Sequence, residues 1–160
     1  MGSKKYILLS LALPILILLG FVIYHQNIAN VGKEAILPIS GYDPRDLLSG
    51  HYLIYHIDYD IPDICRTSEK QVGYVCLSPK GFFFRQPHNC QILIRGTCNY
   101  YRFTAGIERY YIPEDKADYL SKLIRDKKTS IVISVKNGVA QVKDLLIDGQ
   151  SWHTWRNLAQ

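Results

Sequence analysis

The chain has 160 residues, a formal net charge of +5 and 48% apolar residues. Once the first 30 residues are set aside, about 130 remain, which is the size of one ordinary domain with a sizeable core. Basic residues are spread along the chain apart from the run 125–128. A solvated helix end explains that run. The distribution of basic residues therefore excludes a clustered nucleic-acid-binding patch, and no nucleic-acid partner is expected.

Residues 6–24 contain no charged side chain and no Asn, Gln or His, and they directly follow Lys4 and Lys5. At ~1.5 Å rise per residue, a helix of this length reaches roughly 28 Å, close to the ~30 Å hydrocarbon core of a bilayer. We therefore predict a transmembrane anchor that binds the protein to the lipid bilayer. The positive-inside bias then leaves residues 1–5 as a cytoplasmic tail and exports everything after residue 24.

A cleavable signal peptide is the alternative interpretation of the same segment, because it also begins with lysines and continues into an apolar run. The run here is longer than the usual ~7–15 residues of a signal peptide. The segment that follows offers Ala29 but no small residue two positions earlier. Both details favour an uncleaved anchor.

Four cysteines, Cys65, Cys76, Cys90 and Cys98, lie in the part predicted to be exported. Their spacing matches no zinc-site or CxxC pattern, and an even number of cysteines in an oxidising compartment indicates disulfides. Two bridges allow three connectivities. We prefer Cys76 with Cys90, which lie on successive predicted strands, and hence Cys65 with Cys98.

The exported part is predicted to be a single α+β domain over residues 43–160, dominated by antiparallel strands and preceded by a juxtamembrane linker over residues 25–42. His51 to Tyr59 places Leu53, Tyr55, Ile57 and Tyr59 on one face and Tyr52, Ile54, His56 and Asp58 on the other. The other predicted strands are 72–78, 81–85, 91–95, 98–104, 107–111, 130–135 and 139–146.

One main helix is predicted at about residues 113–127, between the early strands and the last two. Pro113 suits a first helical turn, and Leu120 and Ile124 fall on one face at helical spacing. After this helix, Asn137-Gly138 between two apolar runs predicts a two-residue β-hairpin. The tail after residue 151, which carries Trp152 and Trp155, is too short to classify.

No known catalytic signature occurs in the sequence, which favours a protein without catalytic residues. His56, Asp58 and Asp60 alternate along a strand and share a face, an arrangement that can hold a metal. The spacing is common, however, and a polar, solvent-facing strand edge is the simpler interpretation. No metal site and no cofactor are therefore predicted.

Three aromatic runs are conspicuous, namely 82–84, 100–101 and 110–111. Consecutive residues of a strand point to opposite faces, so at least one residue of each run should lie away from the core. Such residues either form a ligand or partner surface or are covered by the helix or a second sheet. The covered arrangement is the one we favour.

Several motifs together resemble the bacterial GDYXXLXY family. The segment Asp43-Pro44-Arg45-Asp46-Leu47-Leu48-Ser49-Gly50-His51-Tyr52 is similar to the family's opening DPRDLLxGDY block. Downstream similarity includes Leu93-Ile94-Arg95-Gly96, the block Gly106-Ile107-Glu108-Arg109-Tyr110-Tyr111-Ile112-Pro113-Glu114 and the final residues 144–149. This chain departs from the naming motif, because His51 stands where the family has Asp, Tyr55 where it has Leu and Ile57 where it has Tyr.

The motif residues have a structural interpretation. Pro44 presets φ for a turn in which Asp43 and Asp46 bond nearby backbone N–H groups, and Gly50 permits the conformation that starts the next strand. Arg45 and Arg109 either pair inside the fold with Asp46 or Glu108, or present a fork to a partner's carboxylate. Internal pairing is the arrangement we favour.

The resemblance also implies a cellular setting. Members of the family usually carry an N-terminal anchor, have no established biochemical activity and are often encoded beside multi-spanning membrane proteins. It implies an accessory protein of the bacterial inner membrane whose periplasmic domain binds another membrane or envelope protein. The alternative is an envelope enzyme or ligand-binding domain acting on cell-wall or carbohydrate material.

Overall fold

Two antiparallel β-sheets and a long N-terminal helix make up most of the described chain. The computed structural model describes residues 3–43, 52–113, 120, 124 and 128–156, with side chains for 10–27, 31–40, 52–113, 120, 124 and 128–154. The elements in order are α1 Ser3–Val31, β1 Lys33–Asp43, β2 Tyr52–Ile57, β3 Gln71–Leu77, β4 Lys80–Phe83, β5 Leu93–Asn99, β6 Arg102–Thr104, β7 Arg109–Tyr111, β8 Thr129–Lys136, β9 Val139–Ile147, β10 Gln150–Ser151 and α2 Trp152–Arg156.

The strands form a six-stranded sheet in the order β10-β9-β8-β1-β2-β7 and a four-stranded sheet in the order β4-β3-β5-β6. Every strand pair in both sheets is antiparallel. One continuous apolar core contains residues from both sheets, including Leu53, Ile94 and Ile133. This confirms the predicted fold class.

Helix α1 is the one described helix that is long and apolar enough to cross a membrane. Its apolar window, Ser10–Asn27, has a mean hydropathy of 1.5, and none of it is buried against the rest of the chain. An N-terminal signal sequence meets the same criteria of length and composition.

The predicted juxtamembrane linker over 25–42 is wrong, because α1 continues to Val31 and β1 begins at Lys33 after a bend at one residue. Strand β1 lies inside the six-stranded sheet, where Lys33–Pro38 pair with β8 and Ile39–Asp43 pair with β2. Its buried side comes from Ala35, Leu37 and Ile39. An exposed Ile36 and a proline at 38 obscure this alternation in the sequence.

Strand β2 has the face that its sequence pattern predicts. Leu53, Tyr55 and Tyr59 are buried, whereas His56 and Asp58 are exposed. The predicted hairpin at Asn137-Gly138 is also confirmed, since both residues have positive φ and Lys136 pairs with Val139 across them.

The four-stranded sheet differs from the prediction at its edge. The strand predicted over 98–104 is two strands, because Tyr100 and Tyr101 form a two-residue turn with φ values of 47° and 60°. Strand β5 also runs on through Gly96, where the prediction ended at residue 95. The sequence signal failed because neither turn residue is a glycine or an asparagine, the usual residues of such turns.

Gly96 lies directly opposite Gly73 of β3, and the rings of Phe103 and Phe82 cover the pair. A Cβ atom at Gly96 would lie 2.4 Å from the carbonyl oxygen of Thr104 and 2.5 Å from the Phe103 ring. The close approach of β6 to β5 therefore depends on the missing side chain.

Two disulfides link Cys65 with Cys98 and Cys76 with Cys90. This is the pairing expected from the strand positions. The first bridge ties the loop after β2 to β5, and Cys65 and Cys98 are both fully buried.

The helix predicted at 113–127 lies mostly outside the described residues. Within it, Leu120 and Ile124 are helical and belong to the core, as their spacing indicates. At the C-terminal end, α2 places Trp152 in the same core, where its indole nitrogen donates a hydrogen bond to the Tyr110 hydroxyl at 2.7 Å.

Candidate functional site: a cleft between two sheet edges

The opening motif block is only partly described. Pro44, Arg45, Asp46 and Gly50 lie outside the described residues, and Asp43 is described as a backbone position of β1 that pairs with Ile54. Tyr52, at the end of the block, is buried with 7% of its surface exposed. The block thus leads into the pair of strands β1 and β2.

The second block surrounds a tight loop between β6 and β7. Gly106 has a φ of 80°, and the Ala105 amide donates a hydrogen bond to the Glu108 carboxylate at 2.5 Å. The Tyr55 hydroxyl donates to the Ile107 carbonyl at 2.7 Å, and the Tyr55 amide donates to the Glu108 carbonyl at 3.2 Å. Tyr55 of β2 therefore holds the loop from both its side chain and its backbone.

Burial raises the pKa of the Tyr55 hydroxyl, and the Glu108 carboxylate adds to the rise. The hydroxyl is consequently neutral at physiological pH and remains a donor to the loop carbonyl.

Of the two acidic partners that we considered for Arg109, Asp46 lies outside the described residues. Among the residues that the structure describes, no ion pair joins Arg109 to Glu108, whose carboxylate accepts the Ala105 amide instead. The Arg109 guanidinium lies 5.2 Å from the ring centroid of Tyr52. The Tyr52 ring also contacts Tyr111 at 5.9 Å between centroids. The arginine thus stacks on an aromatic face and keeps its N–H donors available.

This loop forms one wall of a cleft of about 710 Å³ between the two sheets. Both β6, the edge of the four-stranded sheet, and β7, the edge of the six-stranded sheet, line it. The charged or titratable side chains in its lining are His56, Arg102, Arg109 and Glu108, and the aromatic ones include Tyr59, Tyr101 and Tyr111.

A second cavity of about 460 Å³ continues this cleft toward the N-terminal helix. It shares Gly106, Arg109 and Tyr111 with the cleft and is also lined by His25 of α1 and by residues of β9. Lys136, on the neighbouring β8, donates a hydrogen bond to Asn27 of α1 at 2.5 Å. The two cavities thus adjoin at the three shared residues, and we refer to them together as the groove, which extends from Arg102 to His25 of α1.

Other predicted site residues lie elsewhere. Arg95 is exposed, and its amide donates to the Gly138 carbonyl at 2.8 Å, which ties β5 to the hairpin between β8 and β9. Gly96 acts in sheet packing, whereas Tyr110 both accepts the hydrogen bond of Trp152 and lines the second cavity. The contacts of these residues stabilise the two sheets and the core.

The His56, Asp58 and Asp60 series does not converge. His56 lines the cleft, whereas Asp58 accepts the backbone amide of Asp60 at 2.8 Å. The Asp60 carboxylate pairs with Lys80, and this hydrogen bond lowers the pKa of Asp60. Among the described residues, no three His, Cys, Asp or Glu side chains come together as a metal site would need.

The aromatic runs divide between packing and exposure. Phe82 packs against Phe103, whereas Tyr100, Tyr101 and Tyr111 are 79%, 68% and 70% exposed. More of these aromatic side chains are therefore exposed than we predicted. No sequence pattern marks Arg102 or Phe103 as cleft residues, because their place in the cleft depends on the turn at Tyr100 and Tyr101.

Comparisons with known proteins identify one family. The family model described as GDYXXLXY protein matches residues 14–145. No curated protein and no solved structure shows significant similarity to the chain.

Proposed function

The chain belongs to the GDYXXLXY protein family, and from this membership and the groove we propose a single-span, membrane-anchored accessory protein of the bacterial inner membrane. Its periplasmic domain binds another membrane or envelope protein, and a multi-spanning membrane protein fits best. Two disulfides support export, because such bonds persist in oxidising compartments.

One observation carries this proposal, namely the groove that reaches from the cleft to His25 of α1. His25 lies near the C-terminal end of the apolar window Ser10–Asn27 and directly after the anchor proposed over residues 6–24, so this end of the groove opens where the helix leaves the membrane in our proposal. A partner embedded in the same bilayer is therefore within reach. Exposed Arg109 and Tyr111 line the groove, and arginine and tyrosine are enriched among residues that dominate binding energy at interfaces.

The absence of a flexible linker supports the same proposal. Only one residue separates α1 from β1, and α1 contacts both β8 and β9. The domain is consequently held at one position relative to its anchor. A fixed position reduces the orientational freedom lost when a neighbouring membrane protein docks.

An envelope enzyme acting on cell-wall or carbohydrate material has less support. His56 lines the cleft and can act as an acid or base, but hydrolysis of a glycosidic bond ordinarily also needs a pair of carboxyl groups there. Glu108 lines the cleft, but its carboxylate already accepts a backbone amide, and Asp58 is not part of the lining. Arg45 lies outside the described residues.

The binding proposal is tested by affinity purification of the tagged full-length chain from native membranes, with and without crosslinking. We expect a membrane protein in stoichiometric amount. Tyr111→Ala should abolish its recovery, whereas Tyr100→Ala, which replaces an equally exposed tyrosine outside the groove lining, should not. Recovery of no stoichiometric protein, or equal loss with both variants, would contradict the proposal.

Topology is tested separately by fusing alkaline phosphatase after Gln160. We expect an active fusion, and a protein that stays in the membrane fraction after carbonate washing. An inactive fusion would reverse the orientation, and release into the soluble fraction would show that the N-terminal segment is cleaved.

A further inference from the structure

The Tyr59 side chain contains a buried polar group that the fold does not use. Tyr59 is 7% exposed, and its buried hydroxyl has no hydrogen-bond partner among the residues that the structure describes. Its ring packs edge-on against Phe103 at 5.7 Å between centroids, and both residues line the cleft. Buried hydroxyls in native proteins nearly always have a partner, so this unpaired donor, on a ring that lines the cleft, is a candidate to bind a group that enters the cleft.

Burial raises the pKa of this hydroxyl, and the Glu108 carboxylate and Tyr55 raise it further. Tyr59 is therefore neutral at physiological pH and can donate a hydrogen bond to a group that enters the cleft.

The charged groups around Tyr59 are mainly cationic. Arg102 and Arg109 are both exposed on the cleft wall, and neither has an ion pair within the described part of the chain. By contrast, Lys80 and Lys143 elsewhere on the domain pair with Asp60 and Glu34. Among the described residues that line the cleft, Glu108 has the one carboxylate; one of its oxygens accepts the Ala105 amide, and its single negative charge is outnumbered by the two arginines.

We propose that the cleft binds an acidic, extended segment of the partner protein, with one carboxylate accepting hydrogen bonds from Tyr59 and from Arg102 or Arg109. This inference rests on the proposed function and specifies how the partner is recognised. Guanidinium groups bind carboxylates through paired N–H donors, and the guanidinium groups of both arginines have no ion pair within the described part of the chain.

The cleft geometry favours a peptide over an acidic glycan or a lipid headgroup. It lies between the edge strands β6 and β7, and an extended peptide commonly binds by lying along a sheet edge. The Tyr59 hydroxyl is not accessible to solvent, so its ring must shift before the hydroxyl can donate to a ligand. A slender Asp or Glu side chain requires a smaller opening than a carboxylate fixed beside a sugar ring.

The test measures direct binding to the purified full-length chain in detergent. The probe is a fluorescein-labelled hexaglutamate peptide, and the matched probe is hexaglutamine, both followed by fluorescence anisotropy at one ionic strength. We expect the acidic probe to bind more tightly. Tyr59→Phe and the double variant Arg102→Gln/Arg109→Gln should each weaken it by about tenfold or more, since about tenfold is the usual scale for one charge-assisted hydrogen bond.

The matched control is Arg85→Gln, which removes an exposed arginine outside the cleft lining and should leave affinity unchanged. Tyr59→Phe is informative because it removes a hydroxyl that has no partner within the described part of the chain. A purely structural Tyr59 therefore predicts normal melting and normal binding, whereas the proposal predicts normal melting with weakened binding.

The outcomes separate this inference from the proposed function. Equal binding of both probes, or no effect of the two cleft variants, would overturn the acidic-segment site even if a partner protein co-purifies. Cleft-dependent hexaglutamate binding without any co-purifying protein would support the acidic site and overturn the accessory role. Tighter, cleft-dependent binding of polygalacturonate or of phosphatidylglycerol nanodiscs would replace the peptide with a glycan or a lipid.

Discussion

Gly96→Ala should be among the most destabilising single-methyl changes in the four-stranded sheet. The new Cβ would lie 2.4 Å from the Thr104 carbonyl oxygen, which belongs to the backbone of β6 and cannot rotate away. Relief requires β6 to separate from β5 and Phe103 to repack. Loss of one backbone hydrogen bond and overpacking of the core together cost about 2–4 kcal/mol.

Gly73→Ala is the matched variant, because Gly73 pairs directly with Gly96. Its Cβ would meet the Phe82 ring at 2.8 Å, and a ring at the end of a side chain can move. We expect a cost of about 1 kcal/mol, near the lower bound for overpacking.

The assay is thermal unfolding of the full-length chain in detergent, followed by the fluorescence of the buried Trp152. Gly96→Ala should lower the melting temperature by about 10 °C for a domain of this size, and Gly73→Ala by about 4 °C. Gly20→Ala serves as a control, since a Cβ there meets no atom within 4 Å. The steric argument would be refuted if Gly96→Ala melted like the wild type or above Gly73→Ala.

Three further predictions concern buried polar and covalent links. Tyr55→Phe removes the donor to the Ile107 carbonyl and should cost about 1 kcal/mol in a urea titration; an unchanged midpoint would contradict its role in holding the loop. Because the pKa values of Tyr55 and Tyr59 are raised above their ordinary 10.0, the unfolded chain loses protons above that pH while the folded chain keeps them. The melting temperature should be insensitive to these groups below about pH 10 and fall above it, and Tyr59→Phe should lessen the fall. Replacing Cys65 and Cys98 together by Ser opens a loop of 33 residues and should cost about 4 kcal/mol, against about 3 kcal/mol for the shorter loop of the other bridge. Equal unfolding free energies for the two double variants would argue against a loop-length effect.

The difference between this chain and its family motif at residue 55 adds a hydrogen bond to the fold. A leucine there would fill the core but could not donate to the Ile107 carbonyl, as the Tyr55 hydroxyl does at 2.7 Å. The hydroxyl thus provides a hydrogen-bond donor for a buried carbonyl in the loop that leads to Arg109. Residue 55 thus links the opening motif to the second block.

Features that depend on neighbours along the chain were predictable from the sequence. The apolar stretch before Tyr24, the inward face of β2 and the turn at Asn137-Gly138 follow from composition, from a period of two and from backbone preference. The core positions Leu120 and Ile124 follow in the same way from helical spacing.

Features that depend on partners far apart in the chain were decided by the tertiary structure. β1 became an inner strand because β8, about a hundred residues later, pairs with it, and its own pattern contains an exposed isoleucine and a proline. The cleft joins residues of β2, β6 and β7, and the position of Arg109 over Tyr52 depends on the register between two of those strands. A sequence pattern reports which side of a strand is apolar, but strand order and register determine which side chains meet across a sheet edge.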